Sequence, residues 1–344
     1  MTVSSTESSL PPCIASASDA ALKRAAALLC AGELVAFPTE TVYGLGADAS
    51  NPAAVAKIFA AKNRPADHPV IVHVASAEDA AFWVRDIPDV AKKLIARFCP
   101  GPLTLILPRA AHASDIVTGG QDSIGIRMPS HPVARRLLQA FAAQGGRGIA
   151  APSANCFGHV SPTTAQHVAD DLRDRVALIV DGGSCEHGIE STIIALTGDA
   201  PLLLRPGSLP LTALEATLGA PLQRLDRTHT AAAPRASGTL ASHYAPRTPA
   251  ELVAAEALDA VSRRHHQEGK RIAALLRTAP APEHAAHTLV APISVSGYAH
   301  ALYAALRTLD AHGDDVLLIE DVPTTIEWLA VRDRLLRATA VIRD

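Results

Sequence analysis

At 344 residues the chain exceeds the usual single-domain size of about 100 to 200 residues, which predicts two domains. Hydrophobic residues make up 48% and charged residues 19%, enough apolar material for packed cores and a composition that excludes a largely disordered chain. The formal net charge of -3 excludes a protein that holds nucleic acid through a broad basic surface, so any polyanion contact must be focused in a local cleft.

The opening stretch, MTVSSTESSLPPCIASASDA, has neither a basic n-region nor an apolar h-region and reads as a flexible tail over residues 1–18. From Asp19 an Ala/Leu-rich helix runs to Gly32 and the apolar strand ELVAFP follows. Asn51 as N-cap and Pro52 in the first turn open a second helix, AAVAKIFAAK. A residue before proline is pushed out of the α region, so Pro65 is expected to stop that helix near Arg64 and leave Lys62 and Arg64 splayed at its exit. Strand PVIVHV comes next. The apolar runs LTLILP, SIGIRMP, RGIAAP, VALIVDG and STIIAL then alternate with the helical patterns HPVARRLLQAFAAQ and SPTTAQHVADDL, a mixed α/β sheet over residues 19–205.

Between residues 206 and 249 the periodicity fades into Pro, Ala, Thr and Gly, and the stretch reads as a linker or lid. Residues 250–344 then read as a small doubly wound α/β domain of the Rossmann-like kind: helix AEALDAVSRRHHQEG, strands KRIAALLR and TLVAPI, helix GYAHALYAALRTLDAHG, strand DVLLIED and helix TIEWLAVRDRLLRATA. Five widely spaced cysteines without a C-x-x-C pair suit reduced thiols, and no segment offers about 18 unbroken apolar residues. A cytoplasmic protein without a membrane span is expected.

PTETVYGLGADAS imitates a dinucleotide fingerprint weakly, because PTETVY separates strand from glycines; the glycines alone read as a turn. Thr39, Glu40, Thr41 and Tyr43 are not explained by a turn: four hydrogen-bonding side chains end an apolar strand, where open α/β sheets place ligands. There is no Walker A sequence, so phosphate contacts would come from dispersed cations such as Lys62 and Arg64, whose plain alternative is a solvated helix end. Arg127, inside SIGIRMP, needs an anion, supplied by an internal salt bridge or by a ligand carboxylate. His73 in PVIVHV reads by spacing as a satisfied core histidine. Ser161 before Pro162 reads as a helix N-cap that also frees backbone N–H groups for an anion. No Ser-His-Asp spacing, H-E-x-x-H or carboxylate pair stands out, and scattered hydroxyls with arginines suggest positioning rather than covalent catalysis.

In this order, PTETVYGLG, KNRPADHPVIVH, IGIRMP, APSAN and GIESTII resemble the YrdC/YwlC-type L-threonylcarbamoyladenylate synthases, from about Leu22 to Arg205. HYAP at His243 to Pro246, the small α/β domain and VRDRLLRATA resemble the two-domain branch of that family. The resemblance implies an open twisted mixed sheet of the YrdC kind followed by a linker and the second domain. It implies a nucleotidyltransferase that joins L-threonine, bicarbonate or CO2 and ATP, with Mg2+, into threonylcarbamoyl-AMP and pyrophosphate. A downstream tRNA threonylcarbamoyl transferase would use the product, and the resemblance leaves room for weak tRNA contact.

By the same resemblance Lys62 and Arg64 are the K-x-R pair on the triphosphate and are taken as catalytic. Thr41, His73, Arg127, Ala151 and Ser191 fall on threonine-binding positions, whereas His68, Ser123, Ser153, Asn155, Ser161, Arg205 and Tyr244 join the ATP contacts; no side chain is assigned to a metal. His68 stands where many relatives carry asparagine, and Ser237-Gly238 where relatives commonly carry Pro-Gly. A tRNA or double-stranded RNA-binding module is the rival reading; 3% aromatic residues and a negative net charge leave it without stacking platforms. Carbamoyl transfer in hydrogenase maturation is a second rival, which lacks its zinc-finger and acylphosphatase parts here.

Overall fold

The computed structural model describes residues 13–224, 233–240 and 242–340. The first domain runs β1 (Ile14–Ser16), α1 (Asp19–Cys30), β2 (Val35–Phe37), β3 (Gly44–Asp48), α2 (Pro52–Lys62), β4 (Ile71–His73), α3 (Ala77–Trp83), α4 (Asp89–Phe98), β5 (Leu103–Pro108) and α5 (Asp115–Thr118). It continues through β6 (Ser123–Arg127), α6 (Pro132–Ala142), β7 (Ile149–Ala150), α7 (Ala165–Leu172), β8 (Leu178–Asp181), β9 (Thr192–Ala195), β10 (Leu202–Arg205), α8 (Leu211–Leu218) and β11 (Gln223–Arg224). Its strands form one mixed sheet in the order β1-β8-β2-β3-β7-β4-β6-β5-β9-β10-β11.

Side-chain alternation along these strands builds two layers. Val35 and Phe37 of β2 and Leu178 and Val180 of β8 pack with Leu22, Leu29, Leu137 and Phe141, the buried stripes of α1 and α6. Ala36 and Ile179 face the other way, into a larger core with Ile58, Trp83, Leu94, Val168 and Leu214.

The starts of α1 at Asp19 and of α2 after Asn51 follow the sequence. Ser18 accepts from Ala21 N, and Asn51 accepts from Ala53 N and Ala54 N with Pro52 in the first turn. Other elements depart from the reading, each for a local reason. Residues from Ile14 onward are not tail, because β1 pairs with β8; residues 1–12 of the expected tail lie outside the described residues. Gly44 and Gly46 sit in β3 rather than a turn, and a Cβ on Gly46 would lie 2.8 Å from both Ile149 and Phe37 side chains. The second helix ends at Lys62, where Asn63 adopts the left-handed conformation (φ 52°), before the Pro65 effect can act. Thr164, not Ser161, caps α7 by accepting from His167 N. The stretch expected to be linker carries α8 and β11: β11 extends the first sheet beside β10, and Leu214 of α8 enters the first core.

The second domain runs β12 (Ala250–Val253), α9 (Leu258–Gln267), β13 (Ile272–Leu276), β14 (Ala285–Val290), α10 (Val295–Asp310), β15 (Val316–Glu320) and α11 (Leu329–Ala338). All its strand pairs are parallel, in the order β12-β15-β13-β14. Leu258 of α9 covers one face, while α10 and α11 cover the other, the doubly wound arrangement that the sequence indicates. β12 was not legible, since its residues follow the aperiodic stretch directly. The face under α10 and α11 also takes in Val42, Val160 and Ile189 of the first domain, so the two domains share a core.

Candidate functional site

The strand-end loops of the first sheet and the described residues of the segment 233–249 meet over one cleft. Thr41, Arg64, His73, Arg127, Ala151, Ser153, Ser191, Arg205 and Tyr244 line it, nine positions that the sequence names. About 40 Å³ of open space remains under the covering segment. Glu190, Ser237, Gly238 and His243 also line it without having been named as site residues, with Val42, Ile71 and Pro152 as the apolar remainder. A lone acid before an apolar strand is the one signal that could have exposed Glu190.

Each cation has a defined anchor. Lys62, at the end of α2, is 1% exposed, and its Nζ donates to the backbone carbonyls of Ser153 and Asn155 at 2.5 Å each. Burial, reinforced by neighbouring Arg64, pushes its pKa down to about 7. The plain alternative of a solvated helix end therefore does not hold: Arg64 is buried too, donating to Pro69 O (2.9 Å) and Ser237 Oγ (3.3 Å). Arg127 donates to Glu40 Oε1 at 2.7 Å, the internal salt bridge that was one of its two readings. Burial alone would raise the Glu40 pKa, but the Arg127 guanidinium holds it below the ordinary carboxylate value. Arg205 Nε donates to Ser191 O (3.1 Å), Nη2 to Ser191 Oγ (3.1 Å) and Nη1 to Ser237 O (2.7 Å).

Buried polar atoms without a partner gather here: Arg64 Nε, Arg127 Nε, His73 Nδ1, His243 Nδ1 and Tyr244 Oη, with Asn155 Oδ1 alongside. Folded proteins leave few such atoms, and donors of this kind converging on one cleft mark a place for a polar, anion-bearing ligand. His73 is thus not the satisfied core histidine that its spacing suggests, and burial followed by the Arg127 charge pushes its pKa down to about 3.

The other named residues surround the cleft. Ser123 opens on an adjoining small chamber with Gln121 and Arg235. His68 packs edge-on against Phe157 with ring centroids 5.3 Å apart. Asn155 holds its own loop by donating to Cys156 O and His159 O, both at 2.8 Å. Ser161 donates to Glu190 Oε1 at 2.6 Å.

Glu190 joins the cleft to the second domain. Its Oε2 accepts from Tyr303 Oη of α10 (2.9 Å) and from Arg334 Nε of α11 (2.8 Å). Burial would raise its pKa; the Arg334 and Arg205 charges and the Ser161 hydrogen bond overcome that and hold it at about 2. Arg307 of α10 makes a second bridge, donating both terminal nitrogens to Asp171.

The covering segment is fixed at both ends. Arg235 exchanges hydrogen bonds with the Gln121 side chain, and Ser237 Oγ donates to Pro69 O at 3.0 Å. Ala245 N donates to Gly158 O at 2.9 Å. Tyr244 has a φ of 62°, stacks on Tyr303 and lies under the Arg334 guanidinium, 5.2 Å from its ring centre. Its hydroxyl reaches Gly238 so closely that a Cβ there would lie 1.9 Å from it.

Fold and cleft together describe a two-domain α/β protein with a cation-lined, strap-covered cleft at the strand ends of its larger sheet. A family model described as "Telomere recombination" (Sua5/YciO/YrdC) matches residues 27–207, and one described as "Threonylcarbamoyl-AMP synthase, C-terminal domain" matches residues 210–340. The chain belongs to the Sua5/YciO/YrdC family, in its two-domain form. It is 40% identical to the threonylcarbamoyl-AMP synthase of Pyrococcus abyssi over 92% of this chain and 94% of that protein. The Bacillus subtilis threonylcarbamoyl-AMP synthase is also 40% identical, over 94% of each chain. Among solved structures, a doubly substituted P. abyssi Sua5 superposes with a TM-score of 0.89 at 36% identity, covering 95% of this chain and 96% of that one. P. abyssi Sua5 complexed with L-threonine gives 0.85 at 39% identity, covering 92% and 94%. No helix among the described residues is long and apolar enough to cross a membrane.

Proposed function

We propose that the chain is an L-threonylcarbamoyladenylate synthase, joining L-threonine, bicarbonate or CO2 and Mg-ATP into threonylcarbamoyl-AMP and pyrophosphate for a downstream tRNA threonylcarbamoyl transferase. The observation that carries this reading is the convergence of unpaired buried donors on one cleft, in a chain 40% identical over nearly its full length to relatives named threonylcarbamoyl-AMP synthase. Arg127, already oriented by Glu40, offers its free Nε–H to the threonine carboxylate, with Thr41, His73, Ala151 and Ser191 around the amino acid. Lys62 and Arg64 take the triphosphate, with Ser153, Asn155, Arg205 and Tyr244 around the nucleotide.

The threonine amine adds to CO2 and loses a proton; a carbamate oxygen then attacks the α-phosphorus and pyrophosphate leaves, so no protein nucleophile is required. Glu190, in the cleft lining, and Glu40, paired with the lining Arg127, are each held by an arginine, so Mg2+ belongs to this reading as part of Mg-ATP, carried by triphosphate oxygens and water. ATP is far larger than about 40 Å³, so the strap at 233–249 must lift to admit it and close again to keep water from the mixed anhydride.

Pyrophosphate release should require L-threonine, bicarbonate and Mg-ATP together; equal release without bicarbonate would overturn the carbamate step. Arg127→Lys should raise the threonine KM by about 10- to 150-fold, the equivalent of one lost charged hydrogen bond of about 1.5–3 kcal/mol. If only ATP affinity changed, the assignment of Arg127 to threonine would be wrong. Gly238→Ala should lower kcat/KM by about 100-fold, because a Cβ there displaces the Tyr244 hydroxyl or the strap by about an ångström. Wild-type turnover in that variant would show that the contact does not register the strap.

A further inference from the structure

A second chamber lies between the two domains. Its open volume is about 630 Å³, within the range of about 300–1,000 Å³ usual for small-molecule sites. Leu203, Leu209 and Leu214 of the first domain and Val295, Ala330 and Val331 of the second form apolar walls. Four hydroxyl-bearing residues interrupt them, Thr192, Ser208, Thr212 and Ser296; of these, Thr192 Oγ1, on a residue 1% exposed, and Ser208 Oγ are buried and without a hydrogen-bond partner. Their desolvation is uncompensated unless a ligand supplies a partner. Among the described residues no lysine or arginine lines the chamber, and burial pushes the pKa of its one histidine, His187, down, whereas Glu186 and Glu327 are present, so an anionic ligand is disfavoured.

The chamber and the cleft share one strand start. Successive residues of a strand point to opposite faces. Ser191, just before β9, turns to Arg205 and the cleft, and Thr192 turns to the chamber. On β10 a register shift between Leu203 and Arg205 gives the same division, with Leu203 in the chamber and Arg205 in the cleft. The loop carrying Ser208 is packed tightly on this strand start: a Cβ on Gly207 would lie 2.3 Å from Thr192 N.

We propose that the interdomain chamber is a binding site for an uncharged small molecule with a compact apolar body and one hydrogen-bond acceptor, and that its occupancy acts on the cleft through the Ser191–Thr192 backbone. The acceptor meets the Thr192 and Ser208 hydroxyls, and the body fills the space between α8 and the two helices of the second domain. A ligand there touches both domains, so it also bears on the relation between Glu190 and Arg334.

The probe is Prodan, an uncharged naphthalene dye with one ketone, titrated into the full chain. Saturable binding with blue-shifted emission is expected. Thr192→Val with Ser208→Ala, which changes shape little, should weaken it about 2- to 12-fold, the range for a lost hydrogen bond. Ala330→Phe, which fills the chamber, should abolish it. Equal binding by all three proteins, no saturable binding, or competitive displacement by L-threonine would overturn the site. Coupling is read by calorimetric titration of L-threonine at saturating Prodan, with a shift of at least about fivefold in Kd expected. An unchanged threonine Kd would overturn the coupling. The threonine arm rests on the function proposed for the cleft, and absence of threonine binding without dye would count against that function instead, the dye arm standing by itself.

Discussion

Arg334→Ala is expected to cost about 3–5 kcal/mol of stability, the penalty for leaving one member of a buried ion pair alone. Arg334 is fully buried, and its guanidinium reaches Glu190 Oε2 at 2.8 Å, Asp333 Oδ2 at 2.7 Å and the face of Tyr244. Without it Glu190 keeps hydrogen bonds from Ser161 and Tyr303 but loses its directly paired cation. Denaturant unfolding measures the loss. The double variant Glu190→Gln/Arg334→Met should recover much of it, because removing both charges also removes their desolvation penalty. A single-variant cost below about 1 kcal/mol would mean that the pair behaves like an exposed one and does not hold the domains together.

Stability should also fall steeply in mild acid. His73 and His243 are buried and pushed down to about 3, from an ordinary value of 6.5, burial being the main cause in both. Below pH 6.5 the unfolded chain binds two protons that the folded chain refuses until about pH 3, so stability is lost as pH falls through that window. Two protons correspond to about 3 kcal/mol per pH unit once both imidazoles are charged in the unfolded state. Glu190 adds a loss of the same sign below 4.5, its ordinary value, because its folded pKa of about 2 lies lower. Unfolding free energies measured between about pH 7 and pH 5 test the window, and His73→Gln should reduce the slope by one proton, about 1.4 kcal/mol per pH unit at its full value. A flat profile there would show that neither ring is held neutral by the fold.

Most of the larger sheet was legible because its inner strands are short apolar runs bounded by glycine and proline, whereas β1, β3 and β11 were read as tail, turn and linker; the start of α2 was legible because Asn51 is a cap-forming residue followed by proline, while the sequence put the α7 cap at Ser161. Misreadings came where a local rule met a tertiary demand. Glycine signals a turn until neighbouring side chains, here Phe37 and Ile149, demand the space of a missing Cβ. Helix α8, LTALEATL, lay inside a Pro- and Ala-rich stretch, with only Leu214 fully buried to mark its face. Lysine at a helix end reads as solvated until a loop ninety residues away brings the Ser153 and Asn155 carbonyls onto its ammonium. Named residues from separate motifs proved to be neighbours, but Glu190 was passed over because two of its three side-chain partners lie on α10 and α11, beyond any local pattern.

Glu190, Ser191 and Thr192 are consecutive, yet one is clasped by the second domain, the next faces the cleft and the third faces the interdomain chamber. The boundary between domains is therefore a poor place for recombination. A chimaera taking residues up to the strap from one relative and the remainder from another inherits half of each contact. It must bring matched partners for Glu190 at the Tyr303 and Arg334 positions, and for Asp171 at the Arg307 position, or it separates the clasp from the cleft that the clasp holds in register.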